Sequence, residues 1–142
     1  MWVLDPSNSR DLFDLLRPHS SSGELEVVWC GEGWRSLVRE CHDELVAAFP
    51  DYRFTGIKQK WGVLMFSARP RAGAAMPQEE LRVDTITERY SRASATICEW
   101  CGGPGSLRED VLVSGRREDL TLCDSCLADM AGSSYPSVSP PN

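Results

Sequence analysis

The sequence predicts an α+β fold: a small antiparallel hairpin or sheet, two main helices and a C-terminal four-cysteine zinc finger of the treble-clef or ribbon-like type. Three observations carry this prediction. Apolar residues recur at helical spacing over 34–49, runs rich in aromatic and β-branched residues flank 58–62, and two Cys-x2-Cys pairs follow. We expect residues 1–95 to form the core, 96–131 a zinc finger packed on it, and 132–142 a disordered Ser/Pro tail.

The elements of the N-terminal third follow from local signals. Ser9 can cap a short amphipathic helix that Pro18 stops. Residues 25–29 read as a strand with one face formed by Leu25, Val27 and Trp29. Cys30-Gly-Glu-Gly-Trp34 is a tight turn, and the clearest helix runs from Trp34 to Phe49, with Trp34 on its buried stripe.

The middle of the chain predicts a hairpin and a second helix. Residues 52–57 and 63–68 are the strands, and Gly62 belongs to the turn between them. The second helix spans Gln78 to about Ala95, and its expected core anchors are Leu81, Ile86 and Tyr90.

Two cysteine pairs, Cys98-Glu-Trp-Cys101 and Cys123-Asp-Ser-Cys126, are the strongest chemical signal. A Cys-x2-Cys knuckle turns two thiolates toward one ion, and four thiolates complete a tetrahedral structural Zn²⁺ site with no open position. Spacing alone leaves rubredoxin-like iron as the alternative. A redox dithiol would need a thioredoxin-like βαβ context, which is absent.

The segment between the pairs predicts a small hairpin. Residues 111–113 and 120–122 are apolar and β-prone, and a charged turn joins them. A short helix can begin after the second knuckle, at residues 127–130. Knuckle, hairpin, knuckle and helix is the order of a treble-clef finger, although a plain ribbon stays open.

The composition is that of an ordinary globular chain, with 142 residues, 42% apolar and 25% charged. It has neither the roughly 20 apolar residues of a membrane span nor the basic and apolar regions of a signal peptide. We therefore expect a cytoplasmic protein without a membrane partner. In a reducing compartment its six cysteines favour metal over disulfides.

The formal net charge of −6 is unevenly distributed. Residues 1–50 carry −5, residues 51–92 carry +3 and residues 93–142 carry −4. Acidic ends repel a phosphate backbone, so a protein partner, identity unknown, is the first expectation. The basic middle leaves nucleic acid as a less favoured partner.

No set of residues converges on catalysis. Cys41 lies on the apolar stripe and reads as a packing cysteine. Cys30 stands at a helix start, where the dipole would lower the thiol pKa, but neither His19 nor His42 is placed to act as its base. Glu32 lies on an exposed turn with no second carboxylate paired to it. The sequence therefore predicts a protein that is not an enzyme.

A surface for a partner is expected around the hairpin at 52–69. There cations alternate with aromatic residues, an arrangement that can stack on single-stranded nucleic acid or simply be half buried. The expected partner-binding residues are Glu32, Trp61, Lys58, Lys60 and Arg53.

Three segments together resemble a group of short proteins of bacteria and their phages. They are Cys30-Gly-Glu-Gly-Trp34, Ile57-Lys-Gln-Lys-Trp-Gly-Val-Leu-Met-Phe66, and the two cysteine pairs. The group runs Cys-Gly-Asp-Gly-Trp, Lys-Glu-Lys-Phe-Gly-x-Leu-x-Phe and Cys-x2-Cys followed by Cys-x2-His or Cys. Trp61 stands where the group usually has Phe, and Cys126 where His is frequent. The resemblance implies an architecture and no activity.

The zinc segment alone also resembles the treble-clef end of regulators that bind RNA polymerase, although its spacing is longer. We expect a non-enzymatic accessory module that docks on a larger bacterial or phage protein, for example an immunity-type or anti-defence inhibitor. The alternative is a nucleic-acid-binding regulator that uses the basic hairpin.

Overall fold

A computed structural model describes residues 3–113 and 115–132. The helices are α1 (Pro6–Leu16), α2 (Arg35–Ala48), α3 (Pro77–Ser94) and α4 (Asp124–Gly132). The strands are β1 (Arg53–Lys60), β2 (Val63–Arg69), β3 (Ser106–Val113) and β4 (Arg116–Leu122). Short 3₁₀ turns occupy Arg17–His19 and Glu32–Trp34. Within this part of the chain, no helix combines the length and the apolar character required to span a membrane.

The predicted α+β class is confirmed: the described residues form helices and two small antiparallel sheets, β1–β2 and β3–β4. The four cysteines near the C-terminus lie close together, as in a small zinc-finger-like unit. The predicted disordered tail at 132–142 lies outside the described residues, apart from its first residue, which ends α4.

The cap of α1 differs from the prediction. The Asp5 side chain accepts hydrogen bonds from the backbone N–H groups of Ser7 and Asn8, and the Asn8 side chain accepts one from the Asp5 N–H. This capping box starts the helix at Pro6. Ser9 is therefore not the cap: it has non-helical backbone angles (φ −145°, ψ 42°) and kinks α1.

The strand expected at 25–29 is not formed. Only single bridges occur there, Val28 with Leu4 and Trp29 with Lys58. The face is also the opposite of the predicted one, since Val28 is buried while Trp29 is 38% exposed. Pairing with the N-terminus, which sequence periodicity does not reveal, decides which side chain faces the core.

α2 buries the predicted stripe, including Trp34 just before it, which is fully buried. The hairpin is also as predicted but longer. Its register ends with Lys60 opposite Val63, which leaves Trp61 and Gly62 as a two-residue turn. Its inner face packs on the core through Phe54, Ile57, Leu64 and Phe66.

α3 forms where predicted, with one wrong anchor. Leu81 is 66% exposed, whereas Val83 and Ile86 are buried and Tyr90 packs against the same core. The apolar stripe therefore runs through Val83, a β-branched residue that periodicity had not singled out.

The C-terminal unit has the predicted hairpin and helix, but α4 begins at Asp124, inside the second cysteine pair, and not at residue 127 as predicted. Its strands are longer than expected because charged residues continue β3 and β4, with a register shift between Arg108 and Val111. Its own small core contains Val113, Leu120 and Leu122 beside the buried cysteines.

Candidate metal centre

The four predicted cysteines converge on one point. The sulfurs of Cys98, Cys101, Cys123 and Cys126 all lie within 4.8 Å of one another, and Cys101 Sγ is 3.8 Å from Cys123 Sγ. A tetrahedral zinc with Zn–S bonds of about 2.3 Å separates its sulfurs by roughly 3.8 Å. The cluster therefore fits a four-thiolate metal site.

Backbone N–H groups support the sulfurs. Gly103 N donates to Cys101 Sγ at 3.4 Å, and Cys126 N donates to Cys123 Sγ at 3.3 Å. Burial raises the pKa of the Cys126 thiol, whereas the Cys126 N–H and the neighbouring thiols lower the pKa of the Cys123 thiol to about 7. Such N–H···S contacts stabilise thiolates, the form that binds metal.

The Cys30–Trp34 turn is hydrogen-bonded to the backbone around the first cysteine pair, Cys98 and Cys101. Gly33 N donates to the carbonyl of Glu99 at 2.8 Å, and Trp34 Nε1 donates to the carbonyl of Ile97 at 2.8 Å. A Cβ on Gly33 would overlap the carbonyl oxygen of Cys98. Glycine is required because no side chain fits between the two backbones.

Glu99 lies at the centre of this contact, and sequence reasoning missed it. Its buried Oε2 accepts a hydrogen bond from Gly31 N at 3.1 Å, and its N–H donates to the carbonyl of Thr121 at 2.9 Å. Burial raises the pKa of the Glu99 carboxyl to about 8. The sequence offers one signal for it, an acidic residue between two paired cysteines. Its partner, Gly31, lies 68 residues away and gives no local pattern.

The turn between β1 and β2 contacts the β3–β4 hairpin. Thr121 Oγ1 donates to the carbonyl of Gly62 at 2.6 Å. A Cβ on Gly62 would stand 2.6 Å from Leu107 Cδ1. Both sequence motifs outside the cysteine pairs therefore contact the C-terminal unit that carries the four cysteines.

The expected partner-binding residues are divided by the structure. Arg53 donates to the carbonyl of Pro18 at 2.6 Å. It lies seven residues before Lys60 in β1, a separation of about 23 Å at 3.3 Å per residue. Lys60 and Trp61 lie together at the turn, where Lys60 Nζ is 4.4 Å from the centre of the Trp61 ring. Lys58 lies further back in β1, opposite Met65.

Glu32 lies apart from that group, on the Cys30–Trp34 turn. Its Oε1 accepts a 2.7 Å hydrogen bond from Arg35, and Arg35 Nε donates to Ser9 Oγ at 2.8 Å. These contacts tie Glu32 to the start of α2.

The two remaining thiols are buried. Burial raises the pKa of Cys30 well above its ordinary value, the reverse of the lowering expected from its place at a helix start. Cys41 packs in the core as predicted, and burial raises its thiol pKa as well.

A second polar cluster was not foreseen. His42 is buried with its Nδ1 2.7 Å from Tyr52 Oη. The ring of His19 stacks on Tyr52, and His19 Nδ1 donates to the Tyr52 carbonyl at 2.8 Å. Tyr52, which follows His19 by 33 residues, contacts both histidines and brings them together.

Comparison with known proteins finds no match: no family model fits the chain, and neither a curated protein nor a solved structure is significantly similar to it.

Proposed function

We propose that this chain is a non-enzymatic, zinc-stabilised module that binds a protein partner through the surface around Trp61. Zinc is the metal proposed, since four thiolates in a closed tetrahedral set are typical of structural zinc. The single observation that carries the binding role is the conformation and exposure of Trp61.

Trp61 occupies a turn position that favours other residue types. Its φ is +54° and that of Gly62 is +81°, as in the two-residue turns that favour Asn-Gly. A left-handed conformation costs an ordinary residue about 1–2 kcal/mol, and the side chain is nevertheless 70% exposed. An exposed, strained tryptophan gains nothing from burial, which favours a role in contact with another molecule.

The C-terminal unit that carries the cysteines supports this turn. The Thr121–Gly62 hydrogen bond joins the turn to β4, which leads directly to Cys123. Metal binding would order this strand and with it the support of the Trp61 turn. The proposed role of zinc is therefore structural.

The nucleic-acid alternative has less support. Of the four aromatic residues in the basic hairpin segment, Tyr52, Phe54 and Phe66 are buried, which leaves Trp61 as the one of these four that can stack on a base. The carboxylates of Asp110, Glu118 and Asp119 line the cleft beside it and would repel phosphate. We place the partner among larger bacterial or phage proteins because the chain resembles short proteins of such origin, a resemblance that implies no activity.

Site-specific photo-crosslinking tests the proposal. The photo-reactive residue p-benzoylphenylalanine replaces Trp61 in one variant and Leu81, which is 66% exposed on α3, in the control. We expect a discrete protein adduct in lysate of the source cell from position 61 and none from position 81. Excess zinc-loaded wild-type protein should compete for the partner and reduce the yield of the adduct, and the Trp61→Asn variant should not.

Equal adducts from both positions, or an adduct that the Trp61→Asn protein competes for as well as wild type does, would contradict the binding role of Trp61. A nuclease-sensitive adduct would favour the nucleic-acid alternative.

A further inference from the structure

The β1–β2 hairpin has a second face, which lies opposite the side chains that join the core. Side chains alternate between the two faces of a strand, and the burial pattern of β1 and β2 follows that alternation on either side of the register shift. We call this second side the outer face of the hairpin. Its larger side chains are those of Arg53, Lys58, Lys60, Val63, Met65 and Arg69.

A third backbone segment extends the outer face. Trp29 N donates to the carbonyl of Ile57 at 3.2 Å, and Gln59 N donates to the carbonyl of Trp29 at 2.6 Å. This is the pattern of a parallel bridge between Trp29 and Lys58, which places the two side chains on the same side of the sheet. On the other side of Lys58, β2 places Met65 opposite it. The three side chains therefore stand next to one another on the outer face.

Three apolar side chains of the outer face take no part in a hydrophobic core. Trp29 is 38% exposed, and Val63 and Met65 are half-buried. None of the three belongs to the core around α2 or to the small core beside the cysteines. α3, the helix that packs on β2, lies on the buried side, where its Ile86 shares the core with Leu64. We call Trp29, Val63 and Met65 the apolar patch.

The outer face also concentrates cations without ion pairs. Lys58 and Lys60 are the two lysines of the whole chain, and they lie two residues apart on it. Among the described residues, neither lysine nor Arg69 forms an ion pair with a carboxylate. Residues 52–69 contain no Asp or Glu. A chain of net charge −6 thus keeps one basic surface, and such a surface complements an acidic partner.

The carboxylates beyond the β1–β2 turn distinguish two kinds of acidic partner. They belong to the β3–β4 hairpin and lie beside Trp61. A polynucleotide carries a phosphate at every residue and would meet these carboxylates wherever it crosses the turn. A peptide can restrict its own carboxylates to Lys58 and Arg69, away from the turn, and place apolar side chains elsewhere. The charge distribution therefore favours a protein segment.

We propose that the outer face of the hairpin binds an acidic amphipathic segment of the partner protein. This inference rests on the proposed protein-binding function and adds the surface next to Trp61 and the chemistry of the partner. Apolar side chains of the segment cover the apolar patch, and its carboxylates pair with Lys58 and Arg69. Burial of apolar area contributes the affinity, and the ion pairs fix the orientation of the segment.

Titration of zinc-loaded protein, labelled with ¹³C at its methionine methyl groups, tests the assignment. The probe is a helical peptide of about 18 residues with a leucine stripe flanked by glutamates. A control peptide has glutamine at every glutamate position, and an oligothymidylate supplies charge without the stripe. The reporter is the Met65 methyl resonance, assigned by its loss in Met65→Leu. We expect the acidic peptide to shift it saturably with a Kd below about 1 mM, and the glutamine peptide to bind at least about tenfold more weakly.

A second reporter and two variants locate the site. The Met76 methyl group is exposed just before α3, outside the outer face, and should not shift. Lys58→Glu should weaken binding of the acidic peptide at least about tenfold. Arg10→Glu makes the same change of charge at an exposed position of α1 and should weaken it less than about twofold.

Four results would overturn the assignment. They are equal shifts of Met65 and Met76, equal binding of the acidic and glutamine peptides, equal weakening by the two variants, and no shift of Met65 by about 5 mM peptide. Tighter binding of the oligothymidylate than of the acidic peptide would overturn it too, in favour of nucleic acid.

The two proposals can fail separately. A partner crosslinked at position 61 together with an inert acidic peptide would reject the acidic segment and keep the protein-binding function. Failure of both experiments would reject the function itself.

Discussion

The buried carboxyl group of Glu99 accepts a hydrogen bond from the backbone N–H of Gly31 across 68 residues of sequence, at 3.1 Å. This bond joins the turn that opens α2 to the knuckle that carries Cys98. Gly33 N donates to the carbonyl of the same Glu99. The α+β core and the C-terminal unit that carries the cysteines therefore share a buried polar interface. A substitution on one side of it should change the stability of the other side.

Gly33→Ala should disrupt this interface. The added Cβ would overlap Cys98 O and stand 2.6 Å from Gly102 N, both backbone atoms that cannot move freely. We expect a loss of more than about 2 kcal/mol in the free energy of unfolding, together with weaker metal retention against a chelator. Urea denaturation of the metal-loaded protein measures the first effect.

Gly73→Ala is the matched control, because a Cβ there meets nothing within 4 Å. It should change the free energy of unfolding by less than about 0.5 kcal/mol. Equal stability of the two variants would show that the close approach at Gly33 is not a constraint.

Glu99→Ala should cost about 2–3 kcal/mol in the free energy of unfolding, since it leaves the Gly31 N–H buried without an acceptor and opens a cavity. Glu99→Gln keeps an acceptor for Gly31 and should cost less than about 1 kcal/mol. Thermal or urea unfolding of the three proteins compares them. If both variants lost the same stability, the Gly31 hydrogen bond would not be what Glu99 contributes.

Trp61→Asn should separate stability from binding. Asparagine tolerates the left-handed conformation that tryptophan resists, so the free energy of unfolding should rise by about 0.5–1 kcal/mol. Capture of the partner by crosslinking competition should fall at least about tenfold, as for an interface anchor. Lower stability of the variant would mean that the indole supports the turn, contrary to its exposure.

His42 should make stability depend on pH. Burial, with a smaller effect of nearby His19, lowers the pKa of His42 below 6.5 in the folded state. The neutral ring is favoured on folding, so its contribution is complete above pH 6.5 and declines as pH falls through the lowered pKa. The groups that set its charge balance are His19, Asp43 and Arg39.

The variant His42→Asn isolates this contribution, because acid release of metal from the thiolates affects both proteins alike. The free energy of unfolding of the wild type should fall more steeply between about pH 7 and pH 5 than that of the variant. Parallel pH profiles would exclude His42 as the source.

Sequence patterns were sufficient where the contacts are local. The Cys-x2-Cys spacing indicated the four cysteines that the structure brings together, and the stripe from Trp34 to Leu45 indicated α2 and its buried face. Sequence patterns failed where a distant segment determines which side chain is buried. Val28 faces the core because Leu4 pairs with it. Glu99 was not singled out because its partner Gly31 lies far away in the chain.

The most direct test of the account is the metal itself. Elemental analysis and X-ray absorption on the purified protein should find one zinc per chain with four sulfurs at about 2.3 Å. Cys123→Ser should lose most of that zinc, and the β3–β4 hairpin should then exchange its amide hydrogens rapidly. A metal-free wild-type protein with the hairpin still protected, or zinc bound through oxygen or nitrogen, would contradict the four-cysteine centre.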